Sequence, residues 1–459
     1  MIPGPDDDLR TRMLDVEAEL ATRWPESRIE PSLDRIAHLM DLLGSPQRSY
    51  PVIHITGTNG KSSTARMAEA LLRATGLRTG LLTSPHLHSV RERVVVDGVP
   101  VDEATFVQAY DDIAPFLALA DARSVADGGP RLSFFEVLTA LAFACFADAP
   151  VDAAVVEVGM GGRWDATNVA DGAVAVVTPI GLDHTDYLGP TIVDIAREKA
   201  GIIKAGATAV LAEQTLEAAE VLLERCVEVG ASVAREGVEY GVVDRALAVG
   251  GQAMNLRTPS AQYDDVLLPL HGAHQAANAA TALMAVEALL SGGGALDGDV
   301  VEHAFATVTV PGRLEVVRRS PTVVVDAAHN PHGAAVLAAA MDEAFDFSHV
   351  VAVVGVMADK DAHGILDALD RSVDDVVVTA SSSPRAMPVD DLAAIAVALL
   401  GEERVVVEPD VAAALDRAIG LADDADARTG GGSGVLVTGS VVTAADARVL
   451  LGATTRGPR

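Results

Sequence analysis

VIHITGTNGKSS, residues 52–63, is the stretch that decides the fold. Its first five residues are mostly apolar and β-branched, which is typical of a buried strand. Glycines at positions 57 and 60 allow a tight turn that points backbone N–H groups at a phosphate. From Ser62 to Thr75 the small and apolar residues recur at helical spacing, and Gly76 ends that pattern. A strand, a glycine-rich loop and a helix in this order predict a phosphate-binding loop in a parallel α/β sheet.

We expect this loop to bind ATP. The lysine that follows its second glycine is placed to reach the β- and γ-phosphates, and one of the next two serine hydroxyls to approach Mg²⁺. The helix amino terminus adds partial positive charge. The standard Walker pattern would have a further glycine where Ile55 stands, so an ordinary turn between a strand and a helix is the alternative. The predicted ATP-binding residues of the loop are Gly57, Thr58, Asn59, Gly60, Lys61, Ser62 and Ser63.

Strands and helices alternate along most of the chain, which predicts an α/β fold with parallel sheets. Residues 1–310 are expected to form a P-loop ATP-binding domain on a parallel sheet. The alternation restarts after Pro311, so residues 311–459 are expected to form a smaller, Rossmann-like domain. Residues 207–270 are rich in strand-forming residues, and residues 422–434 have the composition of an exposed loop. The predicted strands are 52–56, 81–84, 153–159, 173–179, 322–328, 350–356, 375–380, 404–409 and 434–440, and the predicted helices include 9–24, 31–43, 62–75, 133–146, 192–202 and 274–290.

The formal net charge is −31, from 34 basic and 65 acidic residues. This charge disfavours nucleic acids, which require Lys and Arg to replace counterions, and it disfavours anionic membranes. No apolar run reaches the roughly 18 residues of a membrane span, and MIPGPDDDLR lacks the apolar core of a signal peptide. We therefore expect a cytoplasmic monomer that binds small molecules, with Cys145 and Cys226 as buried thiols.

Two features of the charged residues indicate chemistry. Glu157 interrupts an apolar run that starts at Ala153, and a carboxylate at a strand end is costly unless it is paired or bound to metal. Pairing with Arg163 is the structural alternative. Lysine occurs only at positions 61, 199, 204 and 360. Where arginine is the usual cation, a lysine can indicate chemistry that a guanidinium cannot perform.

The GTNGK motif, residues 57–61, resembles the loop of the Mur ligase superfamily, in particular its dihydrofolate synthase/folylpolyglutamate synthase branch. Ser62 stands where that branch commonly has glycine. Later segments resemble the same family in the same order: TSPHL (83–87), VVEVGMGGRWDATN (155–168), DHTD (183–186), REKAGI (197–202), HGAHQAANAATAL (271–283), PGRLE (311–315), DAAHNP (326–331) and TGS (438–440). The resemblance implies an ATP-dependent amide ligase that joins L-glutamate to a folate-type carboxylate through an acyl phosphate, with two Mg²⁺ ions.

The resemblance also implies a metal-binding set. Ser84 and Glu157 would bind the first Mg²⁺, and His184 the second. Lys199 would carry a carbamate formed from CO₂, which arginine cannot form, because the reaction requires a neutral amine. Considered alone, Ser84 is better explained as a helix cap or turn serine, His184 as a structural hydrogen bonder and Lys199 as a helix-end charge.

The substrate residues follow from the same resemblance. Lys61, Lys199, His184 and His329 are the expected catalytic residues, and Asn278, Arg313 and Asp326 the further ATP contacts. His329 and Ser440 would hold the incoming glutamate. The expected pterin contacts, for which local packing is the alternative explanation, are Ser133, Phe134, Phe135, Trp164, Asp165 and Ala166.

Several functions remain open at this point. The main expectation is ligation of glutamate to both dihydropteroate and reduced folates, and the alternative is a polyglutamate synthase alone. A cell-wall Mur ligase is disfavoured, because only 56 residues precede Gly57 and they read as two helices rather than a nucleotide-binding domain. A regulatory P-loop switch would leave the second α/β domain and its DAAHNP segment, residues 326–331, without a role.

Overall fold

The computed structural model describes residues 5–25, 30–290 and 294–453, and these divide into two compact units. The first unit comprises residues up to 244 together with 255–266 and 277–308, and the second comprises 245–254, 267–276 and the chain from 309 onward. Each unit contains helices and a largely parallel sheet, so the predicted α/β fold class is confirmed. Among the described residues, no helix has the length and apolar character needed to cross a membrane.

The strands are β1 (Val52–Thr56), β2 (Thr79–Leu82), β3 (Val94–Val96), β4 (Val99–Pro100), β5 (Ala153–Glu157), β6 (Gly172–Val177), β7 (Thr208–Leu211), β8 (Ser232–Arg235), β9 (Gly241–Ala248), β10 (Gly251–Arg257), β11 (Gln262–Leu268), β12 (Glu315–Arg319), β13 (Thr322–Val325), β14 (His349–Val354), β15 (Asp375–Val378), β16 (Val405–Val407) and β17 (Ser433–Thr438). The helices are α1 (Pro5–Ala21), α2 (Asp34–Leu42), α3 (Lys61–Ala74), α4 (Glu103–Ala126), α5 (Phe134–Asp148), α6 (Thr185–Leu188), α7 (Ile192–Lys199), α8 (Leu216–Val229), α9 (Ala273–Leu289), α10 (Gly298–Thr307), α11 (Pro331–Ala344), α12 (Ala362–Leu369), α13 (Val389–Leu400), α14 (Val411–Thr429) and α15 (Val441–Leu450).

The sheet of the first unit has the strand order β4-β3-β2-β5-β1-β6-β7-β8. Strand β1 is fully buried and lies between β5 and β6, parallel to both. Its register pairs Ile55 with Glu157 and Thr56 with Val177. Because parallel strands present their carboxyl ends at one edge, the loops after these three strands lie together there. That edge holds the phosphate loop and the segments that begin at Val158 and Thr178.

The sheet of the second unit has the order β12-β13-β17-β14-β15-β16. All its pairings are parallel except that of the edge strand β12 with β13. The central strands β13, β14 and β17 are buried valine-rich runs, as expected for a sheet covered by helices on both faces. A separate three-stranded sheet has the order β11-β10-β9.

One local prediction was wrong. Residues 422–429 belong to α14 rather than to a loop, because Ala422 and Ala425 are buried against the sheet core and Asp410 caps the helix start. The turn is confined to the three glycines at 430–432, all at positive φ. The region 207–270 contains the helix α8, capped by Thr215, besides the expected strands. Cys145 and Cys226 are buried free thiols, as predicted.

Candidate functional site

The phosphate loop follows β1 directly, and two of its residues must be glycine for steric reasons. Gly57 has φ +146°, and an added Cβ would lie 1.8 Å from Oγ1 of Thr178. Gly60 has φ +87°, and an added Cβ would lie 2.6 Å from Oδ1 of Asn278. The loop is therefore packed closely against the segment after β6 on one side and against α9 on the other. The expected ATP contact Asn278 is thus placed beside the loop.

Helix α3 begins at Lys61, immediately after the loop. The Thr64 N–H donates to the Gly60 carbonyl and so makes the first hydrogen bond of the helix. The backbone N–H groups of the residues before Thr64 come ahead of this bond, at the amino terminus of the helix. Such N–H groups and the helix dipole favour an anion. The Lys61 ammonium folds back onto the carbonyls of Gly57 and Thr58, at 3.2 and 3.1 Å. A positive charge is therefore held at the mouth of the loop.

Glu157 joins the loop to the segment after β2. Its Oε1 accepts a hydrogen bond of 2.8 Å from Ser62 Oγ, and its Oε2 accepts one of 3.1 Å from the Ser84 backbone N–H. The carboxylate is buried. Three residues expected around the first Mg²⁺ are thus adjacent, and the hydroxyl that faces Glu157 belongs to Ser62. Arg163, the alternative partner, instead lies near Glu198 and opposes the increase in the Glu198 pKa that burial causes.

Lys199 is buried at the end of α7, and its ammonium donates a 2.7 Å hydrogen bond to the Gly57 carbonyl. Burial, and after it the charge of Lys61, lowers the pKa of Lys199 to about 7. The carboxylate of Asp183 acts in the opposite direction. The lysine therefore reaches the phosphate loop and has a neutral amine available near neutral pH.

His184 lies at the start of α6 with φ +52°, the left-handed region that is uncommon for residues other than glycine. Its backbone N–H donates to Oδ1 of Asp183 at 2.9 Å, and its Nε2 lies 3.9 Å from Oδ2. Asp183 was not among the predicted site residues, although it adjoins His184. The signal that identifies it is its buried side chain beside Lys199.

The residues expected to contact a pterin lie around the start of α5. Ser133 caps the helix, with Glu136 in a reciprocal capping box, and Arg35 pairs with Glu136 at 3.0 Å. The Arg93 guanidinium lies 5.4 Å from the centre of the Phe134 ring. Phe135 packs over Gly159, where a Cβ would approach the ring to 2.6 Å. Ser133 thus has a structural role in the helix start, while the two phenylalanines are half-buried.

Trp164, Asp165 and Ala166 form part of the loop after β5. The Asp165 carboxylate is buried and accepts hydrogen bonds of 2.9 Å from the backbone N–H groups of Met160 and Thr167. Burial raises the pKa of Asp165 to about 6. The Thr167 hydroxyl links this carboxylate to Nε2 of His54, 2.8 Å away on β1. The Trp164 backbone N–H donates to Glu198 at 3.2 Å, and Ala166 begins a short 3₁₀ turn.

A second group of predicted residues lies in the second unit, at the carboxyl ends of β13 and β17. The Asp326 carboxylate accepts 2.8 Å hydrogen bonds from the backbone N–H groups of Leu314 and Ala328. Burial raises its pKa, an effect that the adjacent Arg313 opposes. Nδ1 of His329 lies 3.0 Å from the Ala327 carbonyl. Ser440 is buried and caps α15 through the Thr443 N–H at 3.0 Å.

Lys360 has no role predicted from the sequence. It lies in the loop after β14, and β14 is the parallel neighbour of β17. Thr443 donates to the Gly355 carbonyl at 2.8 Å, which ties this loop to the segment that carries Ser440. The rarity of lysine in the chain was the available signal, since Lys360 is one of four.

The first cluster fits a Mg²⁺ ion. Mg²⁺ prefers oxygen ligands and usually keeps several waters, so a hydroxyl and a carboxylate oxygen already side by side, as in Ser62 and Glu157, suit it. No group of three or more His, Cys, Asp or Glu side chains suited to a metal occurs within residues 5–25, 30–290 and 294–453. The ammonium of Lys199 does not fit a divalent cation as it stands, whereas a carbamate on it would present two oxygens.

Two protein-family models match parts of this chain. The Mur ligase middle domain matches residues 134–286, and the Mur ligase glutamate ligase domain matches residues 312–441. The dihydrofolate synthase/folylpolyglutamate synthase of Mycobacterium tuberculosis (strain ATCC 25618 / H37Rv) is 53% identical over 98% of this chain and 96% of its own length. The enzyme of the same description from Escherichia coli (strain K12) is 36% identical over 79% of this chain and 81% of its own.

The chain belongs to the dihydrofolate synthase/folylpolyglutamate synthase family of Mur ligases. The predicted family and enzyme class, an ATP-dependent amide-forming ligase, are therefore confirmed.

Two solved structures share this fold. Mycobacterium tuberculosis folylpolyglutamate synthase complexed with ADP has a TM-score of 0.94 at 53% identity, covering 98% of this chain and 100% of that one. E. coli FolC in complex with DHPP and ADP has a TM-score of 0.81 at 32% identity, covering 96% of this chain and 97% of that one. Both of those structures contain ADP.

Proposed function

We propose that this ligase joins L-glutamate both to dihydropteroate and to reduced folates, each through an acyl phosphate formed from ATP. The observation that carries the proposal is the convergence of Ser62, Ser84 and Glu157 beside Lys61 and the first turn of α3. Relatives at 53% and 36% identity carry both synthase names, which supports two activities on one chain. Glutamate and the pterin-bearing acid are the proposed small-molecule partners.

The chemistry requires activation of a carboxylate. A carboxylate is a poor acylating agent, because its leaving group would be oxide. Transfer of the γ-phosphoryl group of ATP to one carboxylate oxygen gives an acyl phosphate and ADP, and attack by the glutamate amine then releases phosphate. Lys61 and the N–H groups of the first helical turn offset the charge on the transferring group. The chain therefore contributes chiefly positioning and electrostatic stabilisation.

Two Mg²⁺ ions are proposed to accompany ATP. Ser62, Ser84 and Glu157 would hold the first, and His184 with a carbamylated Lys199 the second. Bound Mg²⁺ offsets phosphate charge during phosphoryl transfer. The carbamate forms when the neutral Lys199 amine attacks CO₂ and loses one proton. The buried position of Lys199 against the Gly57 carbonyl supports this assignment.

Glutamate is proposed to bind in the second unit. His329 and Ser440 lie after the neighbouring strands β13 and β17, and Lys360 follows the next strand, β14. An imidazole, a hydroxyl and an ammonium suit the two carboxylates of glutamate. Asn278 and Arg313 are proposed to contact ATP, together with Asp326.

The test is a ligation assay with ATP, Mg²⁺ and glutamate that compares dihydropteroate with tetrahydrofolate. We expect turnover with both. Turnover with tetrahydrofolate alone would reduce the activity to that of a polyglutamate synthase, and no turnover with either would refute the proposal. ATP hydrolysis that ignores glutamate would instead support a nucleotide switch.

A further inference from the structure

The side chain of Thr58 lies in the middle of the phosphate loop. Its hydroxyl is fully engaged with a single residue, because Oγ1 donates to the Gly181 carbonyl at 3.0 Å and accepts from the Gly181 N–H at 3.0 Å. The side chain is buried. Phosphate oxygens accept hydrogen bonds, so a ligand for them needs a free donor. The single O–H of Thr58 is already committed within the protein.

The backbone on either side of Thr58 makes similar contacts. The N–H groups of Thr58 and Asn59 donate to the Pro179 carbonyl at 3.0 and 3.4 Å, and the Thr178 N–H donates to the Thr56 carbonyl at 2.8 Å. These bonds extend the pairing of β1 and β6 beyond the ends of both strands. The Thr58 hydroxyl makes the outermost contact of this extension.

The segment that Thr58 holds leads to His184. From Gly181 the chain reaches Asp183 and His184 within three residues, and Asp183 fixes the His184 N–H at 2.9 Å. The Asp183 charge acts on Lys199, whose ammonium bonds Gly57, the residue before Thr58. A displacement at Gly181 would therefore reach Asp183 and His184 together, because both follow Gly181 within three residues.

We propose that Thr58 is a positioning residue whose hydroxyl fixes the 181–184 segment against the phosphate loop, and so sets the place of His184 relative to bound nucleotide. This inference rests on the proposed function only for the role of His184. The contact itself is a property of the chain without ligand. Thr58 was predicted as an ATP contact, and the proposal assigns its side chain a different role.

The decisive comparison is Thr58→Val with Thr58→Ser. Valine keeps the shape and removes the hydroxyl, whereas serine keeps the hydroxyl. Hydrogen exchange of the ligand-free protein should show the Gly181 amide losing protection on the order of tenfold in the valine variant. The neighbouring Ile180 amide is an internal control, because it donates to Gln214 instead. Thr75→Val, which removes a hydroxyl at the far end of α3, should leave both amides unchanged.

Binding measurements separate the positioning role from a nucleotide contact. With ADP and no metal, Thr58→Val should bind within about twofold of the unsubstituted protein, because no phosphate contact is lost. With ADP present, its affinity for Mn²⁺, used as a spectroscopic probe, should fall about fivefold, and Thr58→Ser should restore it.

Either of two results for Thr58→Val would overturn the proposal. One is unchanged Gly181 protection in Thr58→Val, and the other is a loss of metal-free ADP affinity in that variant, which would make the hydroxyl a nucleotide ligand. If the valine variant does not fold, Thr58→Cys replaces it, because a thiol forms only weak hydrogen bonds. The Gly181 amide should then lose part of its protection against exchange. Full protection of that amide in Thr58→Cys would also overturn the proposal. Failure of the unsubstituted protein to ligate glutamate would refute the proposed function and leave the exchange result intact.

Discussion

Ser62 Oγ donates a 2.8 Å hydrogen bond to Oε1 of Glu157, which joins the first turn of α3 to the end of β5. The next residue, Ser63, also lies in the first turn of α3, and its side chain is almost fully buried. The sequence left open which of the two hydroxyls faces a metal. The contact with Glu157 favours Ser62.

Ser62→Ala is therefore expected to raise the Mg²⁺ concentration needed for half-maximal ligation by about tenfold, because a hydroxyl ligand and a bond that orients Glu157 are lost together. Ser63→Ala is the matched comparison and should shift that concentration less. A Mg²⁺ titration of the ligation rate at saturating ATP measures both. A larger shift for Ser63→Ala would assign the metal to the other hydroxyl.

Lys61→Ala is expected to lower the ligation rate on the order of a thousandfold while the free energy of unfolding changes little. The ammonium donates to the loop carbonyls of Gly57 and Thr58, and its charge is needed most during phosphoryl transfer. Turnover measured beside a thermal unfolding curve separates the two effects. Near-normal turnover in a folded variant would contradict the assignment of the phosphate loop.

Substitution of His54 is expected to change how stability depends on pH. Burial lowers the pKa of His54 to about 3, against 6.5 for the unfolded chain. Between these values the unfolded chain binds the proton and the folded protein does not, so the free energy of unfolding decreases as pH falls below about 6.5. His54→Leu removes this titration, and its unfolding free energy should depend less steeply on pH between 6.5 and about 4. Chemical denaturation at several pH values measures this dependence. If the unfolding free energy of the unsubstituted protein and of His54→Leu changed equally with pH, His54 would be protonated in the folded protein.

The sequence was most informative where local patterns decide the structure. The strand at 52–56 has the predicted bounds, and α3 begins one residue before the predicted position, because the glycines and the apolar spacing act within a few residues. The predicted strand at 153–159 instead ends at Glu157, where the loop toward Gly159 begins. Family resemblance, rather than spacing, supplied the roles of Ser84 and Lys199.

The parts of the fold and of the site that the sequence did not predict depend on contacts between distant parts of the chain. Residues 422–429 are helical because two alanines pack on the sheet, and their acidic neighbours hide that pattern in the sequence. The engagement of Thr58 with Gly181 joins residues 123 positions apart, and composition gives no sign of it. The same holds for the Lys199 ammonium on the Gly57 carbonyl, 142 positions away.

Lys199 is proposed to carry a carbamate. The side chain is buried against Gly57, where an unmodified ammonium would repel a divalent cation and a carbamate would offer two oxygens of the kind that Mg²⁺ prefers. Lys199→Ala should lose nearly all ligation, on the order of a thousandfold. Lys199→Arg should not restore it, because a guanidinium keeps the charge and does not form a carbamate.

A spectroscopic measurement makes this test independent of turnover, and a chemical rescue of activity complements it. ¹³C NMR of the folded protein in ¹³C-bicarbonate at neutral pH should show a carbamate resonance that Lys199→Arg lacks, whereas mass spectrometry in acid is expected to miss it, because carbamates decompose there. Acetate added to Lys199→Ala should restore part of the activity by supplying a carboxylate in the vacated space, and the same acetate should not stimulate Lys199→Arg, whose longer side chain fills that space. Full ligation by Lys199→Arg, with no carbamate resonance in the unsubstituted protein, would return Lys199 to the role of a buried charge that supports the phosphate loop through Gly57.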